Sequence, residues 1–227
     1  MRGALAEEYD QAAAAYDTKW AEYTRETVAF CLEQLPTLPP GAVVLDLACG
    51  TGAMLRALRS RPDAPARYVG IDNSGAMLAQ AARSLGGVVS AETERSAADG
   101  TPAAVSWLRG GADEPFPLAS GSVDAVVCAN SFHFFGAPRT TLAEAQRVLR
   151  PGGTLLIGDW SSDFLTCRLL EWYLLSTGRP TSPVLSAAQL GALVRAAAPA
   201  LALQPIATRR LLTWWGFMVL CARMPAK

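Results

Sequence analysis

A short glycine turn, with an acid on the strand before it, is the first feature of the chain that could bind a ligand. The apolar run 42–47 carries Asp46, and Gly50 and Gly52 follow at the start of a helical stretch. Glycine lacks a Cβ, so the backbone amides of such a turn can approach a ligand closely. A dinucleotide-binding turn needs a third small residue three positions later, but that position is Leu55. The turn therefore favours a ligand other than a nicotinamide dinucleotide.

The charge of Asp46 narrows the choice of ligand further. A carboxylate beside the turn repels a phosphate but suits an ammonium group, directly or through water. Asp72 closes the next apolar run, twenty residues after Gly52, where an acid accepts hydrogen bonds from both hydroxyls of a ribose. S-adenosylmethionine has the ribose and the ammonium group and carries no phosphate. The alternative is an ordinary tight turn followed by a helix cap at Asp72, and the joint spacing of the two features disfavours it.

His133 is the only histidine in the chain and could act as a general base. It follows the apolar run 123–129, so we expect it at the carboxyl edge of a sheet, where α/β folds bind ligands. Histidine titrates in the range needed to take a proton from a hydroxyl or an activated carbon. It also lies among Phe132, Phe134 and Phe135, where an imidazole often only packs or forms a hydrogen bond. The sequence leaves both roles, base and scaffold, open.

Aromatic residues are concentrated after Asp159. Trp160, Trp172 and Tyr173 combine a large apolar surface with a polar atom, which is typical of residues that line a substrate pocket. The segment 160–186 is therefore interpreted as an insertion on the substrate side.

Strands alternate with helices along most of the chain. Apolar runs at 42–47, 68–72, 123–129 and 155–158 are each followed by a stretch with helical spacing. This alternation predicts βαβ units and an α/β fold with a mostly parallel sheet covered on both faces. The first forty residues are helical in pattern and end at a proline-rich stop, so we expect a helical cap over 1–40.

One stretch interrupts the alternation. Residues 86–101 are rich in Gly, Ser, Ala and Glu and have no apolar period, which predicts an inserted loop. Nothing in the composition marks a domain boundary, so 1–227 is expected to form a single domain.

Charge and cysteine usage exclude several classes of protein. The 20 basic and 20 acidic side chains balance, so nothing indicates binding to nucleic acid or to an anionic membrane surface, and the substrate is expected to be small. The five cysteines are far apart and form no CxxC pair, which predicts buried thiols, no metal site and a reducing compartment, the cytoplasm. The longest apolar run, 211–222, is too short to span a bilayer as a helix and is expected to be a buried strand.

The sequence around these residues resembles the class I S-adenosylmethionine-dependent methyltransferases. The run 44–52 is similar to their glycine-rich first motif, and 70–74 is similar to their second. Three further blocks, 115–124, 130–134 and 147–153, resemble the small-molecule branch that contains the ubiquinone and menaquinone biosynthesis methyltransferases. The resemblance covers nearly the whole chain and implies the reaction type but not the acceptor, because the branch methylates oxygen, nitrogen, carbon and sulfur atoms.

The resemblance also implies structure. It implies a Rossmann-like, doubly wound sheet of seven strands, the last of them antiparallel over 214–223, and an adenine site around Ala112. The acid usual before that alanine is Gly111 here, and Asp113 follows it instead, so Asp113 or the Ala112 amide is expected at the adenine edge. Near the N-terminus, 9–17 resembles the helical cap that closes over the cofactor.

The residue patterns and the resemblance together predict two sets of site residues. The cofactor-binding set is Tyr16, Asp46, Ala48, Gly50, Gly52, Asp72, Asn73, Met77, Ala112, Asp113 and Asn130. The substrate-binding set is Trp20, Phe134, Trp160, Trp172 and Tyr173, with His133 as the candidate catalytic base.

These features predict an enzyme that transfers a methyl group from S-adenosylmethionine to an oxygen, nitrogen or carbon atom of a small apolar or aromatic metabolite, leaving S-adenosylhomocysteine. Two alternatives stay open. A nicotinamide-dependent oxidoreductase on a similar sheet is one, and Leu55 argues against it. A non-catalytic S-adenosylmethionine-binding module that supports or regulates a partner is the other, because such a module could keep every cofactor residue.

Overall fold

The computed structural model describes residues 2–65, 67–90, 104–177, 183–212 and 214–226. The helices are α1 Arg2–Lys19, α2 Ala21–Gln34, α3 Ala53–Arg59, α4 Gly75–Leu85, α5 Pro138–Val148, α6 Leu165–Ser176 and α7 Ala187–Ala197, with a short 3-10 helix at Phe132–Phe134. The strands are β1 Val43–Leu47, β2 Arg67–Asp72, β3 Val88–Ser90, β4 Ala104–Arg109, β5 Val123–Ala129, β6 Leu149–Trp160, β7 Ala202–Leu203, β8 Ala207–Leu211 and β9 Trp215–Arg223.

The strands form a sheet in the order β3-β4-β2-β1-β5-β6-β9-β7, and β8 also pairs with β9. Strands β1 to β6 pair in parallel, whereas β9 is antiparallel to β6. The expected Rossmann-like class is confirmed, including its late antiparallel strand. Strand β2 follows β1 along the chain and pairs with one edge of β1, whereas β5 pairs with the other edge. Ligands bind open α/β sheets in the crevice that such a reversal of strand order opens at the carboxyl ends of the strands.

The sheet contains nine strands within the described residues, where seven were expected. Strand β3 lies inside 86–101, which was predicted to be a loop, and pairs with β4. Val88 and Val89 favour an extended backbone, and β4 offers them an edge, so pairing adds a strand that composition alone did not indicate. Strands β7 and β8 both pair with β9. Residues 91–103 lie outside the described part of the chain.

Two apolar cores cover the two faces of the sheet. Leu45 and Leu47 pack in the core that contains α5 and α7, whereas Val44 packs with side chains of α2, α3 and α4. This alternation is the two-residue period of a strand, and burial on both faces explains why the run 42–47 is apolar apart from Asp46.

The two cap helices contact the rest of the fold differently. Helix α2 buries one side, which includes Cys31, against the sheet. Helix α1 lies against α4: Oδ1 of Asp10 accepts hydrogen bonds from Oγ of Ser74 (2.5 Å) and from the backbone N–H of Ala76 (3.0 Å). A carboxylate is favourable there, because the N-terminus of a helix has unpaired N–H groups and a positive dipole end. Helix α1 is thus anchored at the cofactor side mainly by polar contacts.

The remaining sequence expectations concern thiols and membranes. All five cysteines are buried and free. The apolar run 211–222 contributes the last residue of β8 and most of β9. Within the ranges given above, the structure has no helix long and apolar enough to cross a membrane.

Candidate functional site

A cavity of about 270 Å³ opens at the carboxyl ends of β1, β2 and β5, the crevice identified from the strand order. Its walls come from the glycine turn, the start of α4, the loop after β4, the loop after β5 and the two cap helices. The lining residues expected from the sequence are Tyr16, Asp46, Ala48, Gly50, Asp72, Asn73, Met77, Ala112, Asp113, Asn130 and Phe134. Ten of the eleven expected cofactor residues therefore line one cavity.

Gly52 is the exception, and its role differs from the expected one. Gly50 has φ +52° and Gly52 has φ +80°, so both adopt the left-handed backbone that glycine allows at low cost. A Cβ on Gly52 would lie 3.1 Å from the Trp107 ring and 3.2 Å from Leu85. Gly52 therefore lets α3 pack closely against the fold behind the turn, and it does not line the cavity.

Asp72 holds the glycine turn and the start of α4 together. Its Oδ2 accepts a hydrogen bond from the backbone N–H of Gly50, and its Oδ1 accepts one from the N–H of Ser74, both at 2.8 Å. Burial raises the pKa of Asp72, and these two N–H groups oppose that rise. A carboxylate oxygen accepts more than one hydrogen bond, so Asp72 keeps capacity for the two hydroxyls of a ribose.

Asp46 is a buried acid that a ligand cation would stabilise. It lines the cavity, it is only 2% exposed, and its Oδ2 has no hydrogen-bond partner in the described part of the chain. Burial, followed by the negative charge of Asp72, holds the pKa of Asp46 well above its ordinary value. A buried and unpartnered carboxyl is costly, and a ligand ammonium group would compensate for it. The residues present therefore fit the amino-acid part of S-adenosylmethionine.

Asp113, which is expected at the adenine edge, also forms hydrogen bonds with the loop before α5. Its Oδ2 accepts a hydrogen bond from the N–H of Gly136 at 2.9 Å, and its Oδ1 accepts one from the N–H of Ala137 at 3.0 Å. The carbonyl of Ala112 accepts a hydrogen bond from Oγ1 of Thr141 at 2.9 Å. Asp113 therefore fixes the loop before α5 as well as lining the cavity, and no sequence pattern indicates this contact.

Helix α1 supplies two tyrosines to the mouth of the cavity. Tyr16 was expected there, whereas Tyr9 was not among the expected site residues although it lies in the same cap pattern. Their rings lie 6.0 Å apart, and the Tyr9 ring also lies 6.0 Å from Phe134. Burial is the main reason why the pKa of both hydroxyls is raised, so both stay protonated at neutral pH.

The glycine turn has a further contact with α1. Oγ1 of Thr51 donates a hydrogen bond to Oδ1 of Asp17 at 2.5 Å, and Arg56 forms an ion pair with Oδ2 of Asp17 at 3.1 Å. Together with Asp10, Asp17 ties α1 to both loops that carry the cofactor residues. The cap pattern in the sequence contains both acids, but it does not specify their partners.

A half-buried hydrogen-bond network joins α2 to the sheet. The hydroxyl of Tyr23 accepts a hydrogen bond from Nε1 of Trp160 at 2.6 Å and donates one to Oδ1 of Asn130 at 2.9 Å. Nδ2 of Asn130 then donates to Oγ1 of Thr27 at 2.8 Å. Asn130 has φ +62° and lines the cavity, so Tyr23 fixes a cofactor-side residue from the cap. Tyr23 was not identified from the sequence.

His133 is held by a buried acid that sequence reasoning also missed. Its Nδ1 lies 2.7 Å from Oδ1 of Asp159, and its backbone N–H donates to Oδ2 of the same carboxylate at 2.7 Å. The imidazole stacks on Trp160 with 4.4 Å between ring centroids and an interplanar angle of 13°, and the Phe134 ring lies 4.0 Å away. Nε2 is buried without a hydrogen-bond partner in the described residues. His133 does not line the cavity itself but lies directly behind Phe134, which does.

Of the five expected substrate residues, Phe134 lines the cavity and Trp160 is half-buried against His133, whereas the other three are exposed. Trp172 is 69% exposed, Tyr173 is 58% exposed and Trp20 is 38% exposed, and none of the three lines the cavity. Helix α6 packs through its other side, where Cys167 is fully buried and its thiol lies 3.1 Å from the carbonyl of Gly216. Spacing predicts that residues share a helical face, but it does not tell which face is turned inward.

Comparison with known proteins finds similarity to methyltransferases. The family described as "Methyltransferase domain" matches residues 45–157, which contain the glycine turn, Asp72 and His133. The 2-phytyl-1,4-naphtoquinone methyltransferase of Thermosynechococcus vestitus is 31% identical over 64% of this chain and 59% of its own length. The malonyl-[acyl-carrier protein] O-methyltransferase of Hahella chejuensis is 31% identical over 82% of this chain and 60% of its own length.

The fold likewise resembles solved structures. A chain from the complex between the Haloferax volcanii Trm112 methyltransferase activator and a methyltransferase superposes with a TM-score of 0.76 and 23% identity, over 96% of this chain and 98% of that one. The likeness supports the fold. The chain spans between 32% and 60% of the length of four curated relatives, the two named above among them.

Proposed function

Because the chain belongs to the S-adenosylmethionine-dependent methyltransferases, we propose that it transfers the methyl group of S-adenosylmethionine to a small, apolar or aromatic metabolite. One observation carries the proposal: the same cavity holds Asp46, a buried acid whose Oδ2 has no hydrogen-bond partner among the described residues, and Asp72, an acid with capacity for a ribose. A nicotinamide dinucleotide would bring its phosphates close to this pair of acids, at a turn that has Leu55 in place of the third small residue.

Each wall of the cavity has a part in holding the cofactor. Asp72 would accept hydrogen bonds from the ribose hydroxyls, Asp46 would pair with the ammonium group, and Met77 and Ala112 would hold the adenine. Tyr9 and Tyr16 cover the methionyl end from α1. When bound, S-adenosylmethionine supplies a methyl group activated by the positive sulfonium. The protein's main contribution is to align the acceptor with that methyl group and to exclude water from the sulfonium.

His133 is proposed to remove the proton from the acceptor. Nδ1–H donates to Asp159, so Nε2 keeps its lone pair and can take the proton of a hydroxyl or a carbon acid. The carboxylate of Asp159 then stabilises the imidazolium that forms, as a buried acid does for histidine in other enzymes. Phe134 separates the dyad from the cofactor cavity, so its ring has to move, or the acceptor has to enter beside it.

The expected acceptor class rests on the side chains near His133. Phe134, Trp160 and Trp215 provide aromatic faces, and a flat acceptor ring would gain stacking contacts beside them. A relative named for a phytyl naphthoquinone has such an acceptor, whereas the relative named for malonyl-acyl carrier protein methylates an oxygen of a carrier-bound chain. We favour the aromatic acceptor.

We also propose that the protein is cytoplasmic, in keeping with its five free, buried thiols. Residues 1–227 would act as one domain with the cap over 1–40 and an insertion at 160–186.

The test is product formation from a defined acceptor panel. The protein is incubated with S-adenosylmethionine and, separately, hydroxylated naphthoquinols, catechols, aromatic amines and malonyl-acyl carrier protein, and S-adenosylhomocysteine is quantified by mass spectrometry. Turnover with an aromatic acceptor, reduced in His133→Asn, is the expected result. Tight binding of S-adenosylhomocysteine without turnover on any acceptor, alone or after addition of a cell extract that could supply a partner, would favour the non-catalytic module.

A further inference from the structure

Helix α6 and the turn before β9 expose an unusual amount of apolar surface. Leu165 is 66% exposed, Leu169 is 58%, Trp172 is 69%, Tyr173 is 58% and Trp214 is 58%. Leu165, Leu169 and Trp172 recur at helical spacing and therefore lie on one side of α6. The side chain of Thr166 donates a hydrogen bond to the carbonyl of Trp214 at 2.6 Å, so the turn adjoins the helix. We call these five residues the apolar patch.

Two exposed arginines lie beside the apolar patch. Arg168 on α6 and Arg210 on β8 are exposed, and neither forms an ion pair with an acid in the described part of the chain. Arg210 lies over the Phe164 ring at 5.9 Å, next to the start of α6. The only acid of α6, Glu171, is half-buried and accepts a hydrogen bond from the N–H of Val184 at 2.7 Å. The patch thus combines aromatic and leucine side chains with unpaired cations and has no free acid on its helix.

A series of aromatic ring contacts connects the apolar patch with the proposed catalytic dyad. The ring centroid of Trp214 lies 5.3 Å from that of Trp215, which lies 5.4 Å from that of Trp160. Trp160 stacks on His133. An apolar molecule that reaches the patch is therefore separated from the dyad by aromatic side chains and not by a polar surface.

We propose that the apolar patch docks the protein on an anionic lipid surface. Leucine and tryptophan beside arginine are the composition of helices that lie in a membrane interface, where Trp and Tyr place their polar atoms at the headgroups. The whole chain has no net charge, so long-range attraction is absent and binding depends on burial of the patch, with Arg168 and Arg210 adding local attraction to lipid phosphates. The link to an apolar acceptor drawn from the lipid rests on the proposed function, whereas the docking itself does not.

The experiment is co-sedimentation of the full chain with vesicles of equal parts phosphatidylglycerol and phosphatidylcholine. The wild type is expected in the vesicle pellet, and the double variant Leu169→Ser, Trp172→Ser is expected to lose at least tenfold in bound fraction. Arg168→Gln and Arg210→Gln should each weaken binding about fivefold, the effect of roughly one lipid-facing cation, and only on vesicles that contain phosphatidylglycerol. Val89→Ser is the matched control, because Val89 is 45% exposed at the opposite edge of the sheet.

Three results would overturn the proposal: a wild type that stays in the supernatant, equal sedimentation of the wild type and the double variant, or a wild-type dimer in analytical ultracentrifugation that the double variant lacks. The last result would assign the patch to a second copy of the chain. Titration of the same variants with S-adenosylhomocysteine separates this proposal from the proposed function, since the patch lies outside the cofactor cavity and cofactor affinity should not change.

Discussion

Nδ1 of His133 lies 2.7 Å from Oδ1 of Asp159, while Nε2 of the same ring is buried and has no hydrogen-bond partner in the described residues. The carboxylate fixes the tautomer with the proton on Nδ1 and leaves the Nε2 lone pair directed away from Asp159. This is the arrangement that a general base needs, since the base is oriented by a third group and carries a free acceptor.

His133→Asn should lower turnover by roughly a hundredfold or more while leaving cofactor affinity nearly unchanged, because the base acts on the acceptor and not on the cofactor. Asp159→Asn should lower turnover as well, because it removes the charge that stabilises the imidazolium. Steady-state kinetics and calorimetric titration with S-adenosylhomocysteine check this. If the thermal stability of His133→Asn falls in proportion to its activity, the imidazole is packing and not chemistry.

Asp72→Ala should weaken the binding of S-adenosylhomocysteine by about 1.5–3 kcal/mol, because charge-assisted hydrogen bonds to the ribose are lost. Asp72 also holds the N–H groups of Gly50 and Ser74, so circular dichroism has to show that the variant is folded. Unchanged affinity in a folded variant would remove Asp72 from the site.

Asp46→Asn should make the ligand-free protein more stable at pH 7 and leave its stability nearly unchanged below pH 4. The folded pKa of Asp46 is raised, so its contribution to stability is complete below the ordinary pKa of an aspartate and is lost as the pH rises toward the folded pKa. Asparagine has no such titration. Urea unfolding of both proteins at the two pH values measures this, and calorimetry should show weaker cofactor binding by the variant. A variant less stable than wild type at pH 7 would show that the carboxyl already has a favourable partner.

Tyr23→Phe should lower the free energy of unfolding by about 1–3 kcal/mol, because Nε1 of Trp160 and Oδ1 of Asn130 both lose a half-buried partner. For a chain of this size, that corresponds to a fall in Tm of roughly 2–4 °C per kcal/mol. Tyr173→Phe is the control, since Tyr173 is 58% exposed and should show no measurable change. Equal Tm values for wild type and Tyr23→Phe would contradict the network.

Deletion of residues 1–20 should abolish turnover and weaken cofactor binding while the sheet stays folded. Helix α1 contributes Tyr9 and Tyr16 to the cavity but is anchored mainly through Asp10 and Asp17. Hydrogen exchange should show the strands unchanged and α1 protected only when cofactor is present, as expected of a lid. A truncated protein with full activity would exclude this role for the cap.

Local patterns in the sequence predicted most of the named residues that line the cavity. The strand, turn and acid around Asp46, Gly50 and Asp72 are close together in sequence, and the parallel sheet brings them to one edge, so spacing alone predicts their meeting. The same reasoning failed for Gly52, because which atoms a glycine approaches depends on Trp107, more than fifty residues later.

The contacts on the side of the proposed acceptor could not be predicted from local sequence patterns. Asp159 meets His133 across 26 residues, and Tyr23 meets Asn130 across 107, so no local pattern signals either pair. The aromatic spacing of α6 predicted a helix correctly, but the burial of Cys167 turns Trp172 outward. The periodicity of apolar residues shows which residues share a helix face, but only tertiary packing decides whether that face is buried.

Calorimetric titration of the purified protein with S-adenosylhomocysteine and with NAD, each also carried out on Asp46→Asn, tests the central claim most directly. We predict one site for S-adenosylhomocysteine, a clear loss of its affinity in Asp46→Asn, and no heat of binding with NAD. Binding of NAD, or S-adenosylhomocysteine binding that is indifferent to Asp46, would contradict the assignment of this cavity to a cofactor with a ribose and an ammonium group.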